Sequence, residues 1–218
     1  MSFLHVPRRH FLAALGAAGA TLALPRFARA DEVSVALAEI AKARASLKTL
    51  VASFTQERTI GLLATVVKSE GELTLVRPDR LRWELKPPDG ITYWITPEGF
   101  GYASSSGSAS VGKDAAKRFG AVLSDLGTFL GGDLELLRKR YDLSASSTSE
   151  GLELVAHPLA DDVKKHVKQV ELSVAAERWS MRRVTIAENN GDKSVITFGK
   201  VARDVKVDPA KMELPKKS

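Results

Sequence analysis

The stretch Leu73 to Leu85, LTLVRPDRLRWEL, alternates apolar and polar residues almost without a break. Leu73, Leu75, Leu81, Trp83 and Leu85 fall on odd positions, and Thr74, Arg80, Arg82 and Glu84 on even ones. Period two marks strands with one face buried, and it excludes a helix here. The same parity puts Arg77 on the apolar face, where an unpaired charge is costly. Read as a turn, Arg77-Pro78-Asp79 breaks the parity and leaves the arginine in water. Read as continuous, it sets a guanidinium inside an apolar chamber.

The neighbouring sequence carries the same signal. Strand-like runs cover 53–59, 63–68, 72–76, 80–85, 91–96 and 99–104, separated by Gly71, Pro78-Asp79, Pro87-Pro88-Asp89-Gly90 and Pro97-Glu98-Gly99. Short strands with regular turn formers predict an antiparallel meander. Further runs at 142–146, 152–157, 167–174, 181–187 and 194–198 bring the expectation to about eleven strands. Ahead of the first strand, Val33, Leu37, Ile40, Leu47 and Leu50 recur at helical spacing and predict an amphipathic helix over residues 32–50.

Between the two strand groups the period changes. Ala115, Phe119, Val122, Leu123 and Leu126 take helical spacing, with Lys113, Asp114, Lys117 and Arg118 on the other face. Phe129-Leu130-Gly131-Gly132 interrupts this helix, and Asp133 is placed to cap a short second one ending in Arg138, Lys139 and Arg140, the favourable end for cations. A long antiparallel sheet must curl to bury its apolar face. With aromatic residues at only 6%, Leu, Val and Ile fill it, and the helical insert is placed to plug the open side. A filled, inert barrel has the same pattern.

The N-terminus reads as an address. Arg8-Arg9 precedes an Ala/Leu/Gly run that closes with Ala28-Arg29-Ala30, giving a basic region, an apolar region and a small-x-small site of twin-arginine type. The run is too short and too weakly apolar to span roughly 30 Å of hydrocarbon. The expected organisation is a signal over 1–30, cleaved after Ala30, then one domain over 31–218 in the periplasm. Four arginines and no acid lie in 1–30, so the net charge of +6 falls to +2 without them. The high pI then argues for no nucleic-acid partner. The chain has no cysteine, which excludes disulfides and thiolate metal sites.

Three motifs resemble chemistry. Gly107 to Asp114, GSASVGKD, fits G-x-x-x-x-G-K, but Asp114 stands where a magnesium-binding hydroxyl belongs, and its carboxylate repels phosphate. A flexible Ser/Gly linker is the preferred reading. His157, Asp161, Asp162 and His166 are metal-capable residue types, but with Pro158 they describe a solvated hairpin loop better. No G-x-S-x-G elbow is present, and Ser104 to Ser106 lack a base nearby in sequence. No catalytic residue, metal or cofactor is expected.

Phe54-Thr55-Gln56 after the N-terminal helix, the Arg77-Pro78 pair with Trp83 further along, and the closing VDPAKMELP (207–215) resemble the LolA family of periplasmic lipoprotein carriers. The resemblance implies a mainly β fold, an incomplete (half-open) antiparallel β-barrel with an N-terminal helix and a helical lid insert, and no catalysis. It implies an acyl-chain cavity walled by Leu73, Leu75, Leu81, Trp83 and Leu85, with Leu81 at the mouth. The lid would comprise Phe119, Val122, Leu123, Leu126, Phe129 and Leu130, latched by hydrogen bonds from Arg77. Implied partners are acylated lipoproteins or other lipids, an inner-membrane lipoprotein-releasing transporter and an outer-membrane acceptor, met by a monomer. Related architectures bind other lipids or sense envelope stress. Two features depart from the family: the twin-arginine signal, and PEGFGYA, where Phe100 and Tyr102 replace the usual tryptophan.

Overall fold

The computed structural model describes residues 26–112, 121–131 and 134–216. Eleven antiparallel strands form one sheet: β1 Thr49–Ile60, β2 Thr65–Val76, β3 Arg80–Leu85, β4 Ile91–Thr96, β5 Gly99–Ser104, β6 Gly107–Gly112, β7 Tyr141–Thr148, β8 Gly151–Pro158, β9 Val167–Ala175, β10 Met181–Glu188 and β11 Lys193–Arg203. Their order is β6-β5-β4-β3-β2-β1-β11-β10-β9-β8-β7, so the sheet stays open, with β6 and β7 as its edges. Among the described residues three helices accompany it: α1 Arg26–Arg44, α2 Ala121–Gly131 and the single turn α3 Asp161–Lys164, with a 3-10 segment at Leu134–Lys139. Among the described residues no helix is long and apolar enough to cross a membrane.

The strand count agrees with the sequence reading, but two of its members do not. Runs 63–68 and 72–76 are one strand, because Gly71 is a packing position and not a turn. Gly71 pairs with Phe54 across the β1–β2 ladder. A Cβ there would lie 2.2 Å from the Phe54 ring and 2.2 Å from the Glu84 carbonyl oxygen. Conversely, the stretch read as a Ser/Gly linker is β6, paired residue for residue with β5 from Gly107–Ser104 to Gly112–Gly99. Residues 107–112 are therefore extended edge strand and not a loop. Lys113 and Asp114 lie outside the described residues.

The N-terminal helix ends at Arg44, six residues before the expected Leu50. Leu47 and Leu50 are buried as the spacing implies, but Leu50 already belongs to β1 and pairs with Leu75. Helix α1 begins at Arg26, ahead of the expected cleavage point. Its described buried residues, Val33, Ala36, Leu37, Ile40 and Arg44, all lie beyond Asp31. The core sits on the concave face of the sheet. There Leu50, Ala52 and Phe54 of β1 meet Leu73 and Leu75 of β2, Leu81 and Trp83 of β3, and the alternate residues of β8 to β11, under α1 and α2.

The closing VDPAKMELP has a structural use. Asp208 accepts a hydrogen bond from the Ala210 amide at 3.0 Å and caps a short 3-10 turn, Pro209–Met212. Met212 is buried. The tail then crosses β4, β5 and β6. The Trp94 indole donates to the Lys211 carbonyl at 2.8 Å, Pro215 lies over Gly101 where a side chain would collide, and the Ser108 hydroxyl donates to the Lys216 carbonyl at 2.7 Å.

Candidate functional site

The wall named from sequence forms one surface. Leu73 pairs with Trp83, Leu75 with Leu81, and Gly71 with Leu85 across the β2–β3 ladder. The first four of these leucines and tryptophan are buried and Leu85 is half-buried. Trp83 packs on Phe54 with ring centroids 4.0 Å apart, and Phe198 of β11 meets both rings edge-on at 6.4 and 6.5 Å. Phe54 of the FTQ triplet and Trp83 are therefore one aromatic cluster, and Gly71 is the gap that admits the Phe54 ring.

Helix α2 roofs this wall. The interruption expected at Phe129 is absent: the helix runs through Phe129 and Leu130, both buried, to Gly131. A Cβ on Gly131 would stand 2.3 Å from Leu75, so the glycine sets how closely the roof approaches the wall. Phe119 lies outside the described residues, as do the side chains of Val122, Leu123 and Leu126.

Arg77 sits in the β2–β3 turn, half-buried, so neither sequence reading of it was complete. Its Nη1 donates to the carbonyl of Arg44, the last residue of α1, where a cation complements the helix dipole. Among the described residues the contact to the roof belongs to Arg44 instead. Arg44 is 1% exposed; its Nη2 donates to the Phe129 carbonyl of α2 at 3.3 Å, and its Nε to the Trp179 carbonyl of the β9–β10 turn at 3.3 Å. Burial, with Arg77 beside it, lowers its pKa to about 10, still well above neutrality. The two arginines form a relay from the β2–β3 turn through the end of α1 to the roof. Sequence reasoning missed Arg44, although it continues the buried stripe of Val33, Leu37 and Ile40.

A second polar cluster fixes the other side of α2. The Asp125 carboxylate accepts from the Tyr141 hydroxyl at 2.7 Å and from Arg140 Nε at 3.0 Å, while Arg140 Nη2 reaches Asp162 at 3.0 Å. Burial raises the Asp125 pKa, opposed by the bonds from Tyr141 and Arg140, and it also keeps the Tyr141 phenol protonated far above its usual range. A carboxyl with a raised folded pKa binds more protons folded than unfolded. Its contribution to stability therefore falls as pH rises from the ordinary aspartate range through the raised value. Tyr141→Phe should cost about 1–2 kcal/mol at neutral pH, and less below that range, where Asp125 carries its own proton. Denaturant midpoints at the two pH values measure this.

The crevice bounded by Leu50, Ala52, Leu73, Leu130, Ser180, Met181, Phe198 and Val201 holds only ≈ 10 Å³, room for about one water. A wider cleft of ≈ 420 Å³ opens to solvent between α1 and β7–β8, with Glu32, Glu39, Ser146 and Ser147 among its lining residues. Pockets that enclose an organic ligand are commonly about 300–1,000 Å³. The crevice under Leu130 is far smaller than such a pocket. Of the metal-capable residues, Asp162 is engaged by Arg140, and no cluster of three or more metal-binding side chains occurs among the described residues.

Residues 45–93, from the end of α1 into β4, match the family model described as outer membrane lipoprotein carrier protein LolA. No curated protein sequence matches the chain. Similar solved structures include a DUF1329 family protein from Desulfovibrio piger, 11% identical with a TM-score of 0.49 over 84% of this chain and 97% of that one. A LolA superfamily protein from Nitrosomonas europaea is 9% identical with a TM-score of 0.47 over 83% and 96%. A chain of the Pseudomonas aeruginosa MucA/MucB complex is 13% identical with a TM-score of 0.48 over 84% of this chain and 60% of that one. The matched segment contains β1 to β3, Arg77 and the aromatic pair Phe54–Trp83, and it sits in an open eleven-stranded antiparallel sheet roofed by helices: over residues 45–93 the chain is similar to LolA.

Proposed function

We propose that the protein is a periplasmic carrier that shields the acyl chains of lipoproteins against its concave wall during transfer from the inner to the outer membrane. The supporting observation is the covered apolar wall. An apolar wall is covered by a helix whose buried carbonyl, that of Phe129, is held by a single arginine side chain. Such a cover is removable without breaking the sheet. Leu73, Leu75, Leu81, Trp83 and Leu85 are the wall in this proposal, Phe129 and Leu130 the inward part of the lid, and Arg77 with Arg44 the latch. Binding and release involve no chemistry, so the proposed role is not enzymatic. The proposed partners are an inner-membrane lipoprotein-releasing transporter and an outer-membrane acceptor. The signal over 1–30 belongs to the same proposal.

Native mass spectrometry of the protein purified from its own periplasm tests these points together. The expected spectrum shows a chain beginning at Asp31 and, in part of the population, an added mass of one acylated polypeptide. A bound phospholipid or fatty acid alone would instead make it a lipid-binding module of the same fold. A chain still beginning at Met1 would overturn the signal.

A further inference from the structure

Arg44 is a buried cation with unused donors. Of its three guanidinium nitrogens, Nε and Nη2 each reach a carbonyl at 3.3 Å, while Nη1 has no hydrogen-bond partner. No carboxylate forms an ion pair with Arg44 or Arg77 among the described residues. The nearest acid along the roof helix, Asp125, is already taken by Arg140 and Tyr141. The region therefore carries concentrated positive charge against an apolar core, with N–H groups left over. A buried donor without an acceptor is unfavourable, and a buried charge without a counter-charge is more so. The position is also tied to the chamber. The two acceptors of Arg44, Phe129 and Trp179, immediately precede Leu130 and Ser180, which line the interior crevice.

We propose that Arg44 is the head-group site of the chamber: when the roof lifts, its guanidinium receives the anionic head of a single-chain lipid whose tail lies on the wall of Leu73, Leu75, Leu81 and Trp83. The proposal rests on the acyl-binding reading above and narrows its ligand to amphiphiles with a carboxylate or phosphate at one end. An anion supplies the acceptor that Nη1 lacks and the counter-charge that neither arginine has. A guanidinium meets such oxygens in a bidentate fork.

Competition against a fluorescent acyl probe tests it on the mature protein, with palmitate, methyl palmitate and palmitoyl lysophosphatidate as competitors. Wild type should bind palmitate at least about tenfold more tightly than its uncharged ester, as expected for one charge-assisted bond. Arg44→Met should bring acid and ester to the same affinity, while Arg44→Lys should retain part of the preference. Arg44→Lys and the wild-type ratio keep the test decisive if Arg44→Met does not fold. Tighter lysophosphatidate than palmitate would identify a phospholipid-derived ligand, and the reverse a free fatty acid; either supports the site. Equal wild-type affinities for palmitate and its ester would overturn the head-group site and leave acyl binding standing. Failure of all three to displace the probe, or of the probe to bind, would overturn both.

Discussion

Trp83→Ala should cost about 4 kcal/mol of folding stability, which corresponds to roughly 8–16 °C in Tm for a domain of this size. The magnitude follows from position. Trp83 is buried, packed at a tilt on Phe54 and edge-on to Phe198, and it pairs with Leu73 across the ladder. Nothing on a rigid β2–β3 ladder can collapse to fill the space it leaves. The same deletion should enlarge the chamber by the volume of an indole, so an acyl probe should bind more tightly to the folded variant. Stability and affinity are thus expected to move in opposite directions, which few core deletions do. Chemical denaturation and probe titration on one preparation measure both. A stability loss below about 1 kcal/mol would show that the aromatic cluster is not packed as described.

Arg77→Leu should tighten acyl binding by about 10–100-fold. Burying a chain of roughly 16 carbons at about 0.8 kcal/mol per CH₂ is worth on the order of 12 kcal/mol, so a carrier needs an opposing term to let its cargo go. The bond from Arg77 to the end of α1 is charge-assisted and worth about 1.5–3 kcal/mol. If α1 must shift for the roof to lift, the closed state forfeits that amount on loading. Without it, loading gains the same free energy, about one to two powers of ten in affinity, and release to acceptor vesicles slows in proportion. A turn arginine with no such role would change stability by at most about 0.5 kcal/mol and leave affinity alone. Equal affinities in wild type and variant would therefore count against the latch.

Much of this was legible in the sequence, because a sheet with one buried face writes its burial as period two. Leu73, Leu75, Leu81 and Trp83 were found that way and do share a surface. Misreadings came where a residue's usual signal served a different need. Gly71 reads as a turn former but is required by a ring lying across the strand. Gly107–Gly112 reads as a linker because small residues dominate it, yet an edge strand needs only its backbone to pair. Arg44 was not singled out, because the stripe was read from its apolar residues alone, although it stands four residues after Ile40 and seven after Leu37 on the inward side. The question that parity raised for Arg77 applied with greater force to Arg44, at helical period. Local pattern could not reveal that the roof's carbonyl at Phe129 lies beside it, since that contact spans 85 residues.

The position of β1 between β2 and β11 bears on how the chain assembles. Strands β1 to β6 form one run of consecutive hairpins and β7 to β11 another, and the strand ladder joining the two is β1–β11. The contact from Asp192 to the Gly61 amide in this seam closes a loop of 131 residues, and that from Asp204 to the Lys48 amide one of 156. Such distant pairing is slow to form. Until the last strand exists, β1 is a free edge carrying the apolar row Leu50, Ala52 and Phe54, the kind of template on which strands of separate molecules join. A fragment ending after β6 should consequently self-associate through β1, and adding the second run as a separate polypeptide should return it to the monomer.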